Sequence, residues 1–545
     1  MTPGKFLCAA TLIVAALGGP AQAAGPVVQA PTGPVEGVDA GRLRVFRGIP
    51  YAEAPVGPLR WKPTVAAKDW TGVRAAKAFG PACIQPKPRS ASIYANPPER
   101  MSEDCLTLNI WTPKDAARAP VMLWIHGGSL TGGAGSEAYY DGAKLAARGI
   151  VVVSINYRLG ALGYLAHPEL SAESPDGISG NYGLLDQITA LRWVQRNIAA
   201  FGGDPAQVTI AGESAGALSV MYLMASPMAR GLFARAIAQS AYMISTPELK
   251  QPRFGEQAAE AIGTRVAGAV GAKDLAAMRA MDAVALNDAA MRSGYIPWGT
   301  VDGRILTRQL VDTFDRGEQA RVPILTGFNS GEIRSLRFLL PPPATDAAAY
   351  EAAIRSSYGD LADAFLRLYP AGNVGESMLA TTRDALYGWT AERLVRKQGA
   401  IGQRGWLYLF DHGYPAADEN GLHGFHAAEV PYVFGTAGRT PTWWPKIPDT
   451  LMERRLSDAM MGYWAGFVRS GVPAADGQPA WKPWSDGASY MAFAGTPRPG
   501  TGLMPGVYAL HEASMCRRRA AGTLAWNWNT GIAAPVLPAR TADCR

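Results

Sequence analysis

The apolar positions of this chain fall in unbroken runs more often than in alternation. Residues 121–125 (Val-Met-Leu-Trp-Ile) make one such run, 150–155 another, and 323–326 and 406–410 two more. A strand with one wet face alternates, whereas a strand covered on both faces reads as a continuous apolar run. Between these runs the pattern turns helical, as in 183–200, and the stretches 250–300 and 344–400 are Ala-rich and helical throughout. Strands alternating with helices predict an α/β fold: a large, mostly parallel central sheet with helices on both faces. The two Ala-rich stretches are expected as helical insertions over that sheet, since no linker composition or internal repeat marks a domain boundary. In such sheets ligands bind beyond the carboxyl ends of the strands, so chemistry is sought where the apolar runs stop.

One run stops on a motif. Val208, Thr209 and Ile210 lead into Gly212-Glu213-Ser214-Ala215-Gly216, and 217–224 continues as a helical pattern. This is G-x-S-x-G in a strand–turn–helix setting, the turn that exposes a serine hydroxyl as a nucleophile. Its glycines are needed because so sharp a turn leaves no room for side chains beside the serine. The pentapeptide alone is weak evidence, and the flanking strand and helix make it strong.

Composition narrows the class. At 545 residues, 48% hydrophobic and 18% charged, the chain reads as globular with a sizeable core. Lys5, an apolar stretch over 6–17 and Ala21-Gln22-Ala23 predict an export signal over 1–23, with 24–545 as the mature catalytic domain in the periplasm or outside the cell. That apolar stretch is too short to span a bilayer, so stable membrane insertion is not expected. Four cysteines remain after the signal, and pairing by proximity gives Cys83 with Cys105 and Cys516 with Cys544, although three connectivities are formally open. No Cys/His cluster has metal-ligand spacing, so no metal site is expected. The formal charge of +7 is dispersed and no nucleic-acid module is seen. The one dense run, Arg517-Arg518-Arg519, reads as a solvated face.

A serine hydroxyl needs a base to take its proton, and the base needs a partner to hold its tautomer. Of six histidines, His126 opens His126-Gly127-Gly128-Ser129 directly after a strand, the form of a loop whose backbone N–H groups receive an oxyanion. His167 has no acid nearby and His511 lies far down the C-terminal segment. His412, His423 and His426 all follow the 406–410 run, and the residues alone do not separate them. For the acid, Glu332 follows the 323–326 run and a Gly-containing turn. Asp302 is the rival, though Val301-Asp302-Gly303 reads more readily as a turn.

Further blocks carry a resemblance. Phe46-Arg47-Gly48-Ile49-Pro50-Tyr51-Ala52, Glu103-Asp104-Cys105-Leu106-Thr107-Leu108-Asn109, Asn156-Tyr157-Arg158-Leu159-Gly160, Gly180-Asn181-Tyr182-Gly183-Leu184-Leu185-Asp186-Gln187 and the stretch 197–204, together with the elbow, are similar to the signatures of the type-B carboxylesterase and cholinesterase family. The resemblance spans nearly the whole mature chain and implies an α/β-hydrolase fold with insertions over an active-site gorge. It implies Glu332 as the acid and His426, in His426-Ala427-Ala428-Glu429-Val430-Pro431-Tyr432, as the base. It likewise implies a Cys83–Cys105 loop, and Glu213 as a carboxylate lining the gorge. The chain departs from the family pattern at Gly331 (usually Asp), Ile333 (usually Gly), Ala427 (usually Gly) and Ser129-Leu130, which touches pocket shape and not the reacting groups.

What the resemblance implies is ester hydrolysis without metal or cofactor, on a small-molecule substrate. Ser214 would attack the carbonyl with His426 as base and Glu332 behind it, and Gly127, Gly128 and Ala215 would bind the oxyanion. Arg334 and Arg337 follow Glu332 closely, and guanidinium pairs with carboxylate through two parallel hydrogen bonds. The family includes esterases that cut tricarballylate esters from fumonisin mycotoxins, which suits an anionic acyl group. Trp298 is expected as a wall of the acyl pocket. Two other readings stand beside this one: a lipase acting at an interface, and a non-catalytic binding protein of the same fold. The oligomeric state is not legible in the sequence.

Overall fold

The computed structural model describes residues 1, 25–87, 92–526 and 529–544, so the expected export signal falls, but for Met1, outside the described residues. Eleven strands form the main sheet. Its centre is the parallel series Ser489–Ala494, Gly405–Phe410, Ile324–Asn329, Arg235–Gln239, Gly203–Glu213, Ala119–Ile125 and Val151–Ile155. Antiparallel strands close both edges: Thr496–Thr501 on one side, and Thr107–Pro113, Leu43–Pro50 and Val38–Ala40 on the other. A smaller sheet holds Val27–Ala30, Gly33–Glu36 and Arg74–Ala75.

The unbroken apolar runs are explained by what covers them. In Ala119–Ile125, Val121, Leu123 and Ile125 enter one core while Met122 and Trp124 enter another on the opposite face. Helices Tyr182–Asn197 and Ala215–Ala225 fill the first core, and the long helix Leu451–Ser470 fills the second with Trp464 and Phe467. Successive strand residues point to opposite faces, so two covered faces demand apolar residues at every position.

The Ala-rich stretches are indeed helical. Ala259–Ala269, Leu275–Ala280 and Ala283–Arg292 enclose a separate small core around Trp61, Leu162 and Met278. Ala347–Tyr358 and Ala362–Leu368 enclose another around Tyr350, Ile354 and Phe365. The next helical run is continuous but not uniform, because a π-helical turn, Asp384–Gly388, separates Val374–Arg383 from Trp389–Ala400.

Disulfides join Cys83 to Cys105 and Cys516 to Cys544. The arginine run differs from its expected place on a solvated face. Arg517 and Arg518 are buried, and Arg517 pairs with Asp360 and Arg519 with Asp315. Two of the three charges are met by acids distant in sequence, Asp360 and Asp315, while Arg518 Nη1 donates to Trp526 O at 3.3 Å.

Candidate functional site

The strand Gly203–Glu213 ends at Ser214, whose backbone sits at φ 57° and ψ −122°, and helix Ala215–Ala225 begins at the next residue. A non-glycine residue at positive φ is strained and persists only where its surroundings hold it. Here the Ser214 N–H donates to Gln239 O at 3.0 Å and Leu218 N–H donates to Ser214 O at 2.9 Å. The elbow glycines are set by contact: a Cβ on Gly216 would stand 2.1 Å from Ile125 O, and one on Gly212 would stand 2.5 Å from Gly216 C.

The loop after Ala119–Ile125 lies against the elbow. A Cβ added to Gly127 would meet Glu213 O at 2.9 Å and Ser214 Cβ at 3.3 Å. Gly128 has φ 101°, which favours glycine. Among the described residues no turn, loop or cap hydrogen bond uses the N–H groups of Gly127, Gly128 or Ala215. Backbone N–H groups beside a serine are suited to an oxygen that gains negative charge. His126 itself is buried, stacks on Tyr157 and contacts Gly127 O through Nδ1 at 2.8 Å. Burial pulls its pKa down to about 4, which keeps the ring neutral.

His426 and Glu332 meet at the ends of neighbouring strands. Glu332 follows Ile324–Asn329 and is fully buried, and its Oε1 accepts the Asn329 N–H at 2.8 Å. Its Oε2 forms a short hydrogen bond with His426 Nδ1. The two loops are also joined by backbone, since Gly331 N–H donates to Gly424 O at 2.8 Å. Behind them Glu429 accepts from Gln239 Nε2 at 2.9 Å and Asn329 Nδ2 at 2.6 Å.

On its other side, His426 Nε2 faces Glu213 Oε1 at 3.1 Å. Among the described residues no hydrogen bond joins the ring to the Ser214 hydroxyl, and Glu213 Oε1 is buried without a hydrogen-bond donor. Burial raises the Glu213 carboxyl above the ordinary range; the His426 charge opposes this, and Glu429 and Glu332 add to it. For His426 burial works downward, but Glu213 and Glu332 outweigh it and hold the imidazolium to higher pH.

The remaining histidines have their own partners. His412 pairs with Glu453 at 2.9 Å, and His423 pairs with Asp418 at 2.9 Å and Asp411 at 3.2 Å. His511 Nε2 lies 2.9 Å from the Tyr369 hydroxyl, and His167 caps helix Pro168–Ala172. Asp302 behaves as the turn it resembles, accepting from the N–H groups of Arg304, Ile305 and Leu306 and from Asn181.

Two tyrosines unmarked in the sequence, together with the expected Trp298, line one side. Tyr387, on the π-helical turn, lies 5.4 Å from the His426 ring, Tyr242 lies 6.0 Å from Tyr387, and Trp298 lies 6.4 Å from Tyr242. Trp298 is thus connected to His426 through two tyrosines. Tyr94, inside the Cys83–Cys105 loop, donates to His426 O at 2.8 Å. Arg334 is half-buried and ion-paired with Glu376 at 2.6 Å, while Arg337 is exposed. Only the position of Glu429 in the quoted histidine block offered a signal; tyrosines inside Ala-rich or Pro-rich stretches offer none.

A serine on a strained strand–helix turn, a glycine loop packed beside it and a buried histidine–glutamate pair at neighbouring strand ends are the features of an α/β-hydrolase. The chain belongs to the carboxylesterase family, whose model matches residues 24–503. It is 36% identical over 485 residues to a fumonisin B1 esterase of Sphingopyxis macrogoltabida, covering 87% of each chain. It is 34% identical to the para-nitrobenzyl esterase of Bacillus subtilis (strain 168), covering 83% of this chain and 91% of that one. A solved structure of a PNB esterase superposes with a TM-score of 0.76 at 31% identity, over 88% of this chain and 97% of that one. The protein is a carboxylic ester hydrolase.

Proposed function

We propose that the protein is an exported serine carboxylesterase working through an acyl-enzyme. Ser214 is the nucleophile, His426 the general base and Glu332 the group that fixes the tautomer and stabilises the imidazolium. The observation that carries this reading is the elbow itself: Ser214 strained at φ 57°, with Gly127 packed against it and the His426–Glu332 pair alongside. Attack on the ester carbonyl passes the Ser214 proton to His426 Nε2. The oxyanion is held by the N–H groups of Gly127, Gly128 and Ala215. The imidazolium then protonates the leaving alcohol, and water activated by His426 releases the acid. The ring turns from Glu213 to Ser214 when substrate binds, since catalytic hydrogen bonds are commonly loose without it. No metal or cofactor is needed for these steps.

The acyl group we assign is one bearing carboxylates, as in fumonisin-type tricarballylate esters. The 36%-identical relative named a fumonisin B1 esterase favours it, as does Arg334. Its partner Glu376 is half-exposed, and exposed ion pairs contribute only about 0–1 kcal/mol, so a substrate carboxylate can displace Glu376. Arg337 serves as a second cation at the rim, Trp298 as part of the acyl wall, and Glu213 as a wall of the gorge floor. Residues 1–23 act as the export signal ahead of a single catalytic domain, 24–545. Two disulfides fit an oxidising destination.

A fluorophosphonate should label Ser214 stoichiometrically, and S214A should abolish both labelling and hydrolysis. An ester panel varying acyl length and charge, run with R334A and R337A, tests the substrate. Preference for acidic acyl groups should fall in R334A; unchanged preference in both variants discards the anionic-acyl assignment.

A further inference from the structure

The π-helical turn does more than present Tyr387. Its wide turn is closed by Trp389 N–H donating to Asp384 O, five residues back, and such turns recur at functional sites. Just before it stands Arg383, whose guanidinium has three engagements. Nε donates to Asp384 Oδ1 at 2.7 Å, Nη1 donates to Ser330 O at 3.1 Å, and Nη2 lies 3.5 Å from Met504 Sδ. Asp384 is held from behind, because its Oδ2 accepts the Tyr369 hydroxyl at 2.9 Å, and that same hydroxyl oxygen lies 2.9 Å from His511 Nε2. Burial lowers the His511 pKa to about 4, so the ring is neutral and donates its Nε2–H to the Tyr369 oxygen.

Ser330 is the point of leverage. Its N–H donates to Phe410 O at 2.9 Å, the next residue donates to Gly424 O at 2.8 Å, and the one after is Glu332. The Arg383 guanidinium therefore grips the acid loop where that loop crosses to the histidine loop. The charged groups facing it are Asp384, Glu332 and Asp411. Those facing His426 are Glu213, Glu332 and Glu429. Glu332 belongs to both sets, so the Arg383 charge bears on His426 through the carboxylate they share.

We propose that Arg383 is a positioning residue for the Glu332–His426 pair, anchored by the Asp384–Tyr369–His511 chain, and that its charge offsets the carboxylates around the histidine. The proposal rests on the catalytic reading above, and fluorophosphonate titration of the wild type separates the two: absent labelling defeats that reading before this one is tested.

The experiment compares R383M and R383K with wild type in kcat, KM and the pH profile of kcat/KM, each normalised to titrated Ser214. R383M should lose about 10- to 100-fold in kcat, the scale of a small misplacement of reacting groups, with KM little changed. Without the cation the carboxylates hold the imidazolium more strongly, so its acid limb should move up by about half a unit or more. R383K keeps the charge and should restore the limb to its wild-type position while recovering kcat only in part. A limb unmoved in R383M, or R383K as impaired as R383M, overturns the proposal. Should R383M not fold, D384N decides: untethering the guanidinium should lower kcat several-fold with Ser214 still fully titratable, and unchanged kcat refutes the role.

Discussion

Glu213 Oε1 and His426 Nε2 stand 3.1 Å apart, both buried, on the side of the ring that would serve Ser214. The carboxylate next to the nucleophile therefore stabilises the protonated form of the base. A general base works only when neutral, so, with His426 in the proposed role, Glu213 would move the onset of activity to higher pH. In E213Q the His426 pKa should fall, and the acid limb of kcat/KM should shift down by about 1 unit. A pH–rate profile on an uncharged ester checks this; a limb that stays or moves upward contradicts it.

The loop after Ala119–Ile125, proposed to hold the oxyanion, admits no side chain at Gly127. A Cβ there would press on Glu213 O at 2.9 Å, Glu213 Oε2 at 3.0 Å and Ser214 Cβ at 3.3 Å. G127A should lower kcat by about 100-fold, comparable to the loss of one oxyanion donor, while circular dichroism remains native. Activity within a few-fold of wild type would remove Gly127 from the oxyanion hole.

His511 gives a stability prediction whose sign is fixed by burial. Its folded-state pKa is lowered from 6.5 to about 4. Above 6.5 neither state binds the proton and stability is unaffected. Below 6.5 the unfolded chain takes up a proton that the folded chain refuses, so stability falls until the pH reaches about 4. At pH 4.5 this amounts to about 2–3 kcal/mol, at 1.36 kcal/mol per unit. H511Q should remove that share of the acid sensitivity, read as the change in urea midpoint between pH 7 and pH 4.5. His126 shares the depression, so sensitivity should persist in part.

On the proposed anionic-acyl reading, Glu376, ion-paired with Arg334 at 2.6 Å, would compete with substrate for it. E376A should raise kcat/KM for carboxylate-bearing esters by up to about fivefold, the worth of an exposed ion pair, and leave neutral esters unaffected. An equal change for both ester types would mean that Arg334 does not meet the acyl group.

The interior of the sheet was legible because burial on two faces forces unbroken apolar runs: 121–125 and 406–410 lie within Ala119–Ile125 and Gly405–Phe410. The elbow was legible because its glycines answer to local crowding. The edge strand Thr496–Thr501 was not, since Thr-Pro-Arg-Pro-Gly-Thr reads as a loop, and only an edge tolerates proline in a ladder. Arg517 and Arg518 misled for a related reason, because the acids and cores that receive them lie far away in sequence. Tyr387 became visible only through the π-helical turn, which no hydrophobic period announces. The histidine could not be chosen from residues alone because His412 and His423 also carry carboxylate partners.

Tyr94 hangs from the loop that Cys83 and Cys105 close, and its hydroxyl bonds both the His426 carbonyl and Ser335 Oγ. One cystine thus ties the rim around the histidine to the main core, in which Cys83 and Cys105 are both buried. Preparations made in a reducing cytoplasm lose both the core staple and the tether of Tyr94, so their specific activity and their stability will follow their oxidation history.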